Sequence, residues 1–355
     1  MSDHPLVTAA GELAASVLAP AAADVDESGV PRSHLDAIAR AGLLGVVAPT
    51  SAGGAAAGVP VLREVTEILA GADAATWFVQ AQHHSPVRML AASPDTPAAR
   101  RYLPKLASGE LVAGIAFSHL RRFPERAVTA TKTATGWRFD GAAPYYTGWG
   151  LNDVAFVAGV TDDDRVVFGV VGAREGAGLT AKAKLRTSAL DAAQTVVLRV
   201  DAVDVDDGDV VLVQPVEEWL AADGETSANA NPAVFGVGRS ALALLRETGV
   251  RRKEPEAIRA ADVWCARLDD VRARAYALAD AASADVSARL AARAEALDVL
   301  IAVTTAAVAA NSGPAMGRAH PAQRKAREAL FLLVQAQTAA GRAATLRRWS
   351  ERSQL

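Results

Sequence analysis

Apolar residues in this chain recur every three or four positions, then every two, then every three or four again. That order of helices, strands and helices constrains the fold more than any other feature. From about Leu6 to Ser108 the spacing is helical, broken by turn signals. Pro31 to Gly42 reads as a helix with Arg40 in its last turn and a glycine at its C-terminus, Ser51-Ala-Gly-Gly54 as a loop, and Val59 to Ala70 as another amphipathic helix. From about Leu111 to Leu212 the period falls to two, in Val128 to Thr133, Val154 to Val160, Val166 to Val171 and Thr195 to Val200. Asp162-Asp-Asp164 and Asp206-Asp-Gly208 supply turns between these strands. From about Pro232 to Trp349 Ala, Leu and Arg dominate and the helical period returns, as in a bundle. The chain is therefore expected to be mainly α with a β-rich middle, in sections 1–110, 111–214 and 232–355. Gln214 to Asn231 is the expected mobile connection.

Composition decides what such a chain can partner. With 355 residues, 51% of them hydrophobic and 22% charged, it can bury a large core. A net charge of −3 gives no electrostatic case for nucleic acid or an anionic membrane. The lone Cys265 excludes an intramolecular disulfide framework and suits a reducing cytoplasm. Met1-Ser-Asp-His-Pro5 lacks the basic and apolar regions of a signal peptide. The apolar run from Ala296 to Ala310 contains Asp298, Thr304 and Thr305 and is expected to be a buried bundle helix rather than a membrane span.

Several motifs have a structural explanation. Gly236-Val-Gly238-Arg-Ser-Ala241 fits a loose dinucleotide fingerprint but follows an Asn/Pro loop rather than a strand, so it reads as a tight helix start. Asp204 to Asp209 resembles a calcium loop, yet Pro215 occupies the position that needs a bidentate Glu; a hairpin turn is expected. His83 and His84 are adjacent and so point in different directions on a helix, which suits capping or pocket lining better than a metal. Arg267, Arg272 and Arg274 near Asp269 and Asp270 read as a salt-laced helix surface, and Cys265 as a small buried hydrophobe.

Nearly end to end, the chain resembles the acyl-CoA dehydrogenase superfamily. The residues that carry the likeness are Arg101-Tyr-Leu-Pro-Lys-Leu-Ala-Ser-Gly-Glu-Leu-Val-Ala-Gly-Ile-Ala-Phe-Ser-His119, similar to "yLPkLasGe…A.TEP", and Phe139-Asp-Gly141 with Tyr145-Tyr-Thr147-Gly, similar to "l-N-G…W-I-T". Arg40-Ala-Gly-Leu-Leu-Gly-Val-Val-Ala-Pro49 with Gly53-Gly54 resembles "G-L-x-G…P-x-x-x-G-G". The resemblance implies an N-terminal helical domain, a middle β-barrel and a C-terminal helix bundle, a dimer or tetramer, and a flavin cofactor, FAD first, with FMN or none as alternatives. It places Phe117, Ser118, Tyr145, Tyr146 and Thr147 at the flavin, with Trp149 helping to close the site. A flavin ring needs neutral donors and acceptors at its polar edge and an apolar wall against its face, which matches these residue types.

The departures matter as much. His119-Leu120 replaces the acidic and proline positions, and Arg121-Arg-Phe-Pro124 replaces a loop that contacts substrate in relatives. Gly313-Pro-Ala-Met-Gly317 and His320-Pro-Ala-Gln-Arg-Lys-Ala-Arg327-Glu328 look like the family's glycine segment and "p-x-x-R-x-x-R-D" helix. Dehydrogenating members carry a Glu eight residues beyond that acid; here the position is Ala336, between Gln335 and Gln337. The alternative Glu position falls near Ala228, with Glu225 and Glu247 near only in sequence. No His stands where some monooxygenase relatives have one, and the Arg-x-x-Phe-Gly segment has no clear counterpart around Arg246 to Glu254. A positioned base contributes roughly 10²- to 10⁴-fold to removal of an α-proton, and Ala336 cannot accept one. Ser118 and His119, if extended, would face opposite ways, which makes His119 a pocket or packing residue rather than a substitute base. The expected function is thus an FAD-dependent, acyl-CoA dehydrogenase-like oxidoreductase acting on a small molecule, but not an ordinary fatty acyl-CoA dehydrogenase. A monooxygenase relative or a flavin-free binding protein is the alternative.

Overall fold

A computed structural model describes residues 2–281 and 285–352; the first residue and the last three of the expected end sections lie outside them. Six helices come first: α1 Pro5–Leu13, α2 Ala19–Ser28, α3 Arg32–Arg40, α4 Val59–Ala72, α5 Ala74–Ala91 and α6 Pro97–Ser108. α3 ends where expected, with Gly42 at φ +72, a left-handed position that suits glycine. α5 starts at Asp73, whose carboxylate accepts from the Ala75 N–H at 3.1 Å.

The strands follow: β1 Ala113–Ala116, β2 Val128–Lys132, β3 Gly136–Tyr146, β4 Val154–Val160, β5 Arg165–Gly172, β6 Leu179–Lys184, β7 Val196–Asp206 and β8 Val210–Pro215. They form one sheet in the order β6-β7-β3-β2-β4-β5-β8, with β1 added parallel to β4. The sheet curls until a side chain at Gly169 on β5 would meet Val205 and Phe139 at 3.0–3.2 Å, which encloses a core of Phe139, Val157, Val167 and Val203. It is barrel-like, but β6 and β8 end the hydrogen-bonded order, so no ladder closes it. β4 is buried along its whole length. Phe156 and Ala158 face the helices of the first section while Ala155 and Val157 face the barrel interior, as a near-continuous apolar run allows.

The stretch expected to be a mobile connection is instead the helix α7, Val216–Ser227. Its Trp219 packs edge-on against Phe117 at 5.7 Å and near Phe168, and its Asp223 takes both ends of the Arg121 guanidinium at 2.7 and 2.8 Å. Local composition did not reveal those partners, which lie about fifty to a hundred residues away in the chain. The bundle comprises α8 Pro232–Arg252, α9 Pro255–Asp280, α10 Val286–Asn311, α11 Pro321–Val334 and α12 Ala339–Arg352. Gly236 lies inside α8, where an added Cβ would sit 2.0 Å from the Glu67 carbonyl. Gly236 thus lets α4 and α8 cross closely, while Gly238 makes room for Leu268 of α9.

By length and composition two helical stretches, Pro5–Ser28 and Val286–Asn311, could cross a membrane, contrary to the expectation for the second. Both serve as packing elements here. α10 is buried from Ala292 to Leu300, and its Arg293, Glu295 and Asp298 all have protein partners. The first stretch buries Val7, Ala10 and Leu18, and Asp26 is held by Arg327. On α9 Arg267 and Arg274 pair with Asp270 and Glu295, but Arg272 reaches the buried Glu67 of α4 and Asp269 pairs with Arg239 of α8 instead. Cys265 is half-buried rather than buried.

Candidate functional site

A cavity of about 850 Å³ opens where the first helices, the barrel and the bundle meet. That size falls within the roughly 300–1,000 Å³ of small-molecule sites. Its wall has five sources. α5 gives Phe78 and Gln82, and the end of β1 with the turn after it gives Ile115, Phe117, Ser118, Arg121 and Arg122. The end of β3 gives Pro144, Tyr145 and Thr147. The segment from Leu185 to Thr195, together with Leu330, Phe331, Val334 to Gln337, Ala339 and Arg342 of the α11–α12 corner, closes the remainder. Phe78 and Phe331 meet edge-to-face at 4.7 Å and tie α5 to α11 across one side of the cavity.

Of the five residues singled out in the sequence, four reach this wall. After β1 the backbone does not continue extended but turns through a short 3₁₀ segment, Ser118–Arg122. The opposite-facing rule for neighbours in a strand therefore does not apply to Ser118 and His119. The Ser118 Oγ is buried with no hydrogen-bond partner among the described residues, although its residue lines the cavity. Thr147 Oγ1 lies 3.0 Å from Thr195 Oγ1. A pair of hydroxyls uses one proton internally and keeps the other free to donate outward. Tyr145 is 52% exposed and presents its ring to the cavity.

Tyr146 is the exception. Successive side chains of a strand point to opposite faces, so with Tyr145 facing the cavity, Tyr146 enters the barrel interior and is fully buried. Its hydroxyl accepts from Asn152 Nδ2 at 3.1 Å, burial pushes its phenol up from the ordinary value, and a Cβ at Gly114 would collide with it at 2.4 Å. Trp149 stacks edge-on against Tyr146 at 5.9 Å and likewise does not line the cavity. Both are supports: Asn152 also donates to the Thr147 carbonyl at 2.8 Å, which fixes the strand end that carries Thr147.

The wall holds no carboxylate and no imidazole among the described residues. His119 is 1% exposed, its Nε2 donates to the Ala158 carbonyl at 3.0 Å, and burial holds its pKa down at about 4. His83 is equally enclosed: its Nδ1 accepts from the Ala113 N–H at 3.0 Å, so its Nε2–H is the donor to the Leu106 carbonyl. No cluster of His, Cys, Asp and Glu suited to a metal occurs among the described residues. Glu225 pairs with Arg289 and Glu247 with Arg251, and neither lines the cavity.

Sequence reasoning did not find what holds the Ala336 corner. Ala336 adopts φ +51, a left-handed conformation, as α11 ends and before α12 begins. Arg293 of α10, only 5% exposed, reaches the break and donates to the carbonyls of Ser227 at 2.6 Å, Gln335 at 2.9 Å and Ala336 at 3.4 Å. A cation on the free carbonyls at a helix C-terminus is a favourable pairing. Asn231 adds a bond to the Gln335 side chain at 2.8 Å.

Comparison with known proteins agrees with the sequence resemblance. Residues 3–110 match the family model for the acyl-CoA dehydrogenase N-terminal domain. No curated protein matches the chain. Among solved structures, a putative acyl-CoA dehydrogenase from Mycobacterium smegmatis is similar at a TM-score of 0.84 and 18% identity, covering 97% of each chain. Butyryl-CoA dehydrogenase from Megasphaera elsdenii is similar at 0.81 and 19%, again covering 97% of each chain. Dibenzothiophene monooxygenase from Paenibacillus sp. A11-2 reaches 0.81 at 18% identity, over 97% of this chain and 96% of that one. One fold therefore serves both dehydrogenases and a monooxygenase.

Proposed function

From an acyl-CoA dehydrogenase fold whose first domain matches that family's own model, we propose that this chain is a flavin-dependent oxidoreductase acting on a small molecule. We further propose that it does not carry out the ordinary α,β-dehydrogenation of fatty acyl-CoAs. The observation that carries this is the cavity wall itself. It offers a buried unpartnered Ser118 hydroxyl, the Thr147–Thr195 hydroxyl pair and the Tyr145 ring, but no group able to take a proton from carbon at neutral pH. Those residues fit a flavin: Ser118 and Thr147 would bond its polar edge, with Phe117 and Tyr145 as apolar wall. Bound there, a flavin would supply two-electron redox chemistry. The chain's own residues would orient the ring and exclude water, while Ala336 leaves the usual base position without a carboxylate.

FAD is the cofactor we propose first. FMN is the alternative, supported by the monooxygenase neighbour, which has been solved in an FMN-bound form. The base-free wall also supports a second reading, oxygen-dependent chemistry of the monooxygenase kind, in which no α-proton has to be removed. We place the protein in the cytoplasm as a homo-oligomer of two or four copies. On α10 the stretch Ala292 to Leu300 is covered by the chain's own helices, whereas Ala302 to Ala310 is partly open; with exposed Leu346 and Trp349 of α12 it is a candidate for that contact.

The test is spectroscopic. Purified protein, as isolated and after loading with FAD or FMN, is expected to show the 450 nm band of oxidised flavin. Under anaerobic conditions short-, medium- and branched-chain acyl-CoAs are expected to leave that band unbleached. Bleaching at roughly 1 s⁻¹ or faster, a rate typical of enzymes, would mean that an active base exists; no flavin band after loading would leave a flavin-free binding protein.

A further inference from the structure

Many arginines in this protein pair with carboxylates, although among the described residues others, such as Arg40, Arg88, Arg174 and Arg347, do not. Arg138 pairs with Asp204, Arg272 with Glu67, Arg289 with Glu225 and Arg327 with Asp26. At the cavity, arginines line a wall that has no acid on it among the described residues. Arg121 is neutralised by Asp223, but Arg122, on the turn after β1, and Arg342, on α12, line the same cavity with no carboxylate partner among the described residues. Behind the wall stands Arg293, which bonds only carbonyls and has no carboxylate partner either. Desolvation, then the charge of Arg121, pulls its pKa down to about 10, so it remains a cation at neutral pH. The chain as a whole carries −3, yet this concavity presents positive charge and no acid. A cleft of one sign with low-dielectric walls concentrates ions of the other sign.

We propose that Arg122 and Arg342 form an anion subsite of the cavity, which takes a phosphate or carboxylate group of the small molecule bound there. The residue types agree. Arg122 and Arg342 are exposed and free to close on a ligand, and guanidinium forks pair bidentately with both kinds of oxyanion. The anion has two chemical sources, the phosphate of the flavin cofactor or an acidic group on the substrate. In its choice of ligands the inference rests on the flavin reading; the positive wall itself does not.

The experiment separates these cases. Inorganic pyrophosphate is titrated calorimetrically into the full-length protein at low salt. Saturable binding is expected, weakened by added salt and at least tenfold weaker in the double variant R122Q/R342Q, with R122Q and R342Q each intermediate. A control variant R40Q/R347Q, away from the cavity, is expected to bind as wild type, and circular dichroism checks that all variants fold. No pyrophosphate binding, or equal binding in wild type and R122Q/R342Q, overturns the subsite. FMN and riboflavin are then titrated by fluorescence. If the cofactor phosphate occupies the subsite, FMN binds more tightly than riboflavin in wild type and loses that advantage in the double variant. If the substrate supplies the anion, the two flavins bind alike in both proteins while pyrophosphate affinity still falls. Pyrophosphate binding with neither flavin bound leaves the subsite standing and overturns the flavin reading alone.

Discussion

The two ends of helix α11 show how differently one element can treat charge. Near its start, Lys325 is almost fully buried and donates to the Gly71 carbonyl at 2.9 Å and to Glu328 at 2.8 Å. Arg324 approaches the other Glu328 oxygen at 3.4 Å, and Arg327 grips Asp26 with both nitrogens at 3.0 and 2.6 Å. Asp73 lies in the same buried network, bonded to Thr76 at 2.5 Å, and desolvation raises both its pKa and that of Glu328. Near its end the same helix exposes Leu330, Phe331 and Val334 to the cavity, and the corner that follows has only neutral Gln335, Ala336 and Gln337. Charge at the first end is spent on docking the bundle to the first domain. At the second, neutral and apolar groups leave room for a ligand. Scaffold and site are thus one turn apart on a single helix.

Breaking the scaffold end is expected to have the largest effect. Lys325→Met leaves the Gly71 carbonyl buried without its donor and Glu328 with only the more distant Arg324, and removal of one partner from a buried pair costs about 3–5 kcal/mol. The urea midpoint at pH 7 is expected to fall accordingly, and less at pH 5, because Glu328, its pKa already raised, can take a proton instead. An equal loss at both pH values would show that Glu328 does not depend on Lys325 for its charge.

Acid is expected to act on the wall between the first helices and the barrel. Burial lowers His83 to about 4, His84 to about 3 and His119 to about 4, against 6.5 in the open chain. Between those values the unfolded chain binds more protons than the folded one. Stability from these groups is therefore complete above about pH 6.5 and lost as the pH falls toward 4. Each contributes a slope of up to about 1.4 kcal/mol per pH unit in that window. Asp73 and Glu328, with raised pKa values, take up protons in the folded state first and act in the opposite direction. Urea unfolding from pH 8 to 4 measures the balance; in His119→Gln the slope is expected to be shallower, and an unchanged slope would remove His119 from the account.

The site end calls for smaller and more selective changes. Thr147→Val keeps shape and removes one hydroxyl, so flavin affinity is expected to fall by about 0.5–1.5 kcal/mol, or roughly three- to tenfold. Unchanged flavin titration would remove Thr147 from the site. Ser118→Ala is the sharper contrast with Lys325→Met. The Ser118 hydroxyl has no protein partner to lose, so thermal stability is expected to hold within about 0.5 kcal/mol while flavin affinity drops. A stability loss without any change in flavin binding would make Ser118 part of the scaffold.

Much of the site could be read from the sequence because its residues lie on local motifs. Phe117 and Ser118 follow one apolar strand, Tyr145 and Thr147 end another, and Ala336 falls at a fixed count beyond Glu328; all five line the cavity. Tyr146 was misplaced because residue type alone does not say which face of a strand is wet; that depends on Gly114 and Asn152, which pack over it. α7 was mistaken for a mobile connection because its anchors, Phe117, Phe168 and Arg121, lie far from it in the chain.

Periodicity, turn residues and motif order, which act through neighbours in the chain, were enough for the sequence alone to determine helices, then strands, then helices. The same local information put an alanine, Ala336, at the position where the resemblance implies a base. Only the tertiary structure decided that a cavity opens at the junction, that Tyr146 turns inward and that Arg293 clamps the Ala336 corner. It also decided that Arg122 and Arg342, 220 positions apart by their numbers, share a wall with no acid on it. A charge's partner is set by distances through space, and a chain that folds back on itself brings together residues that no local spacing relates.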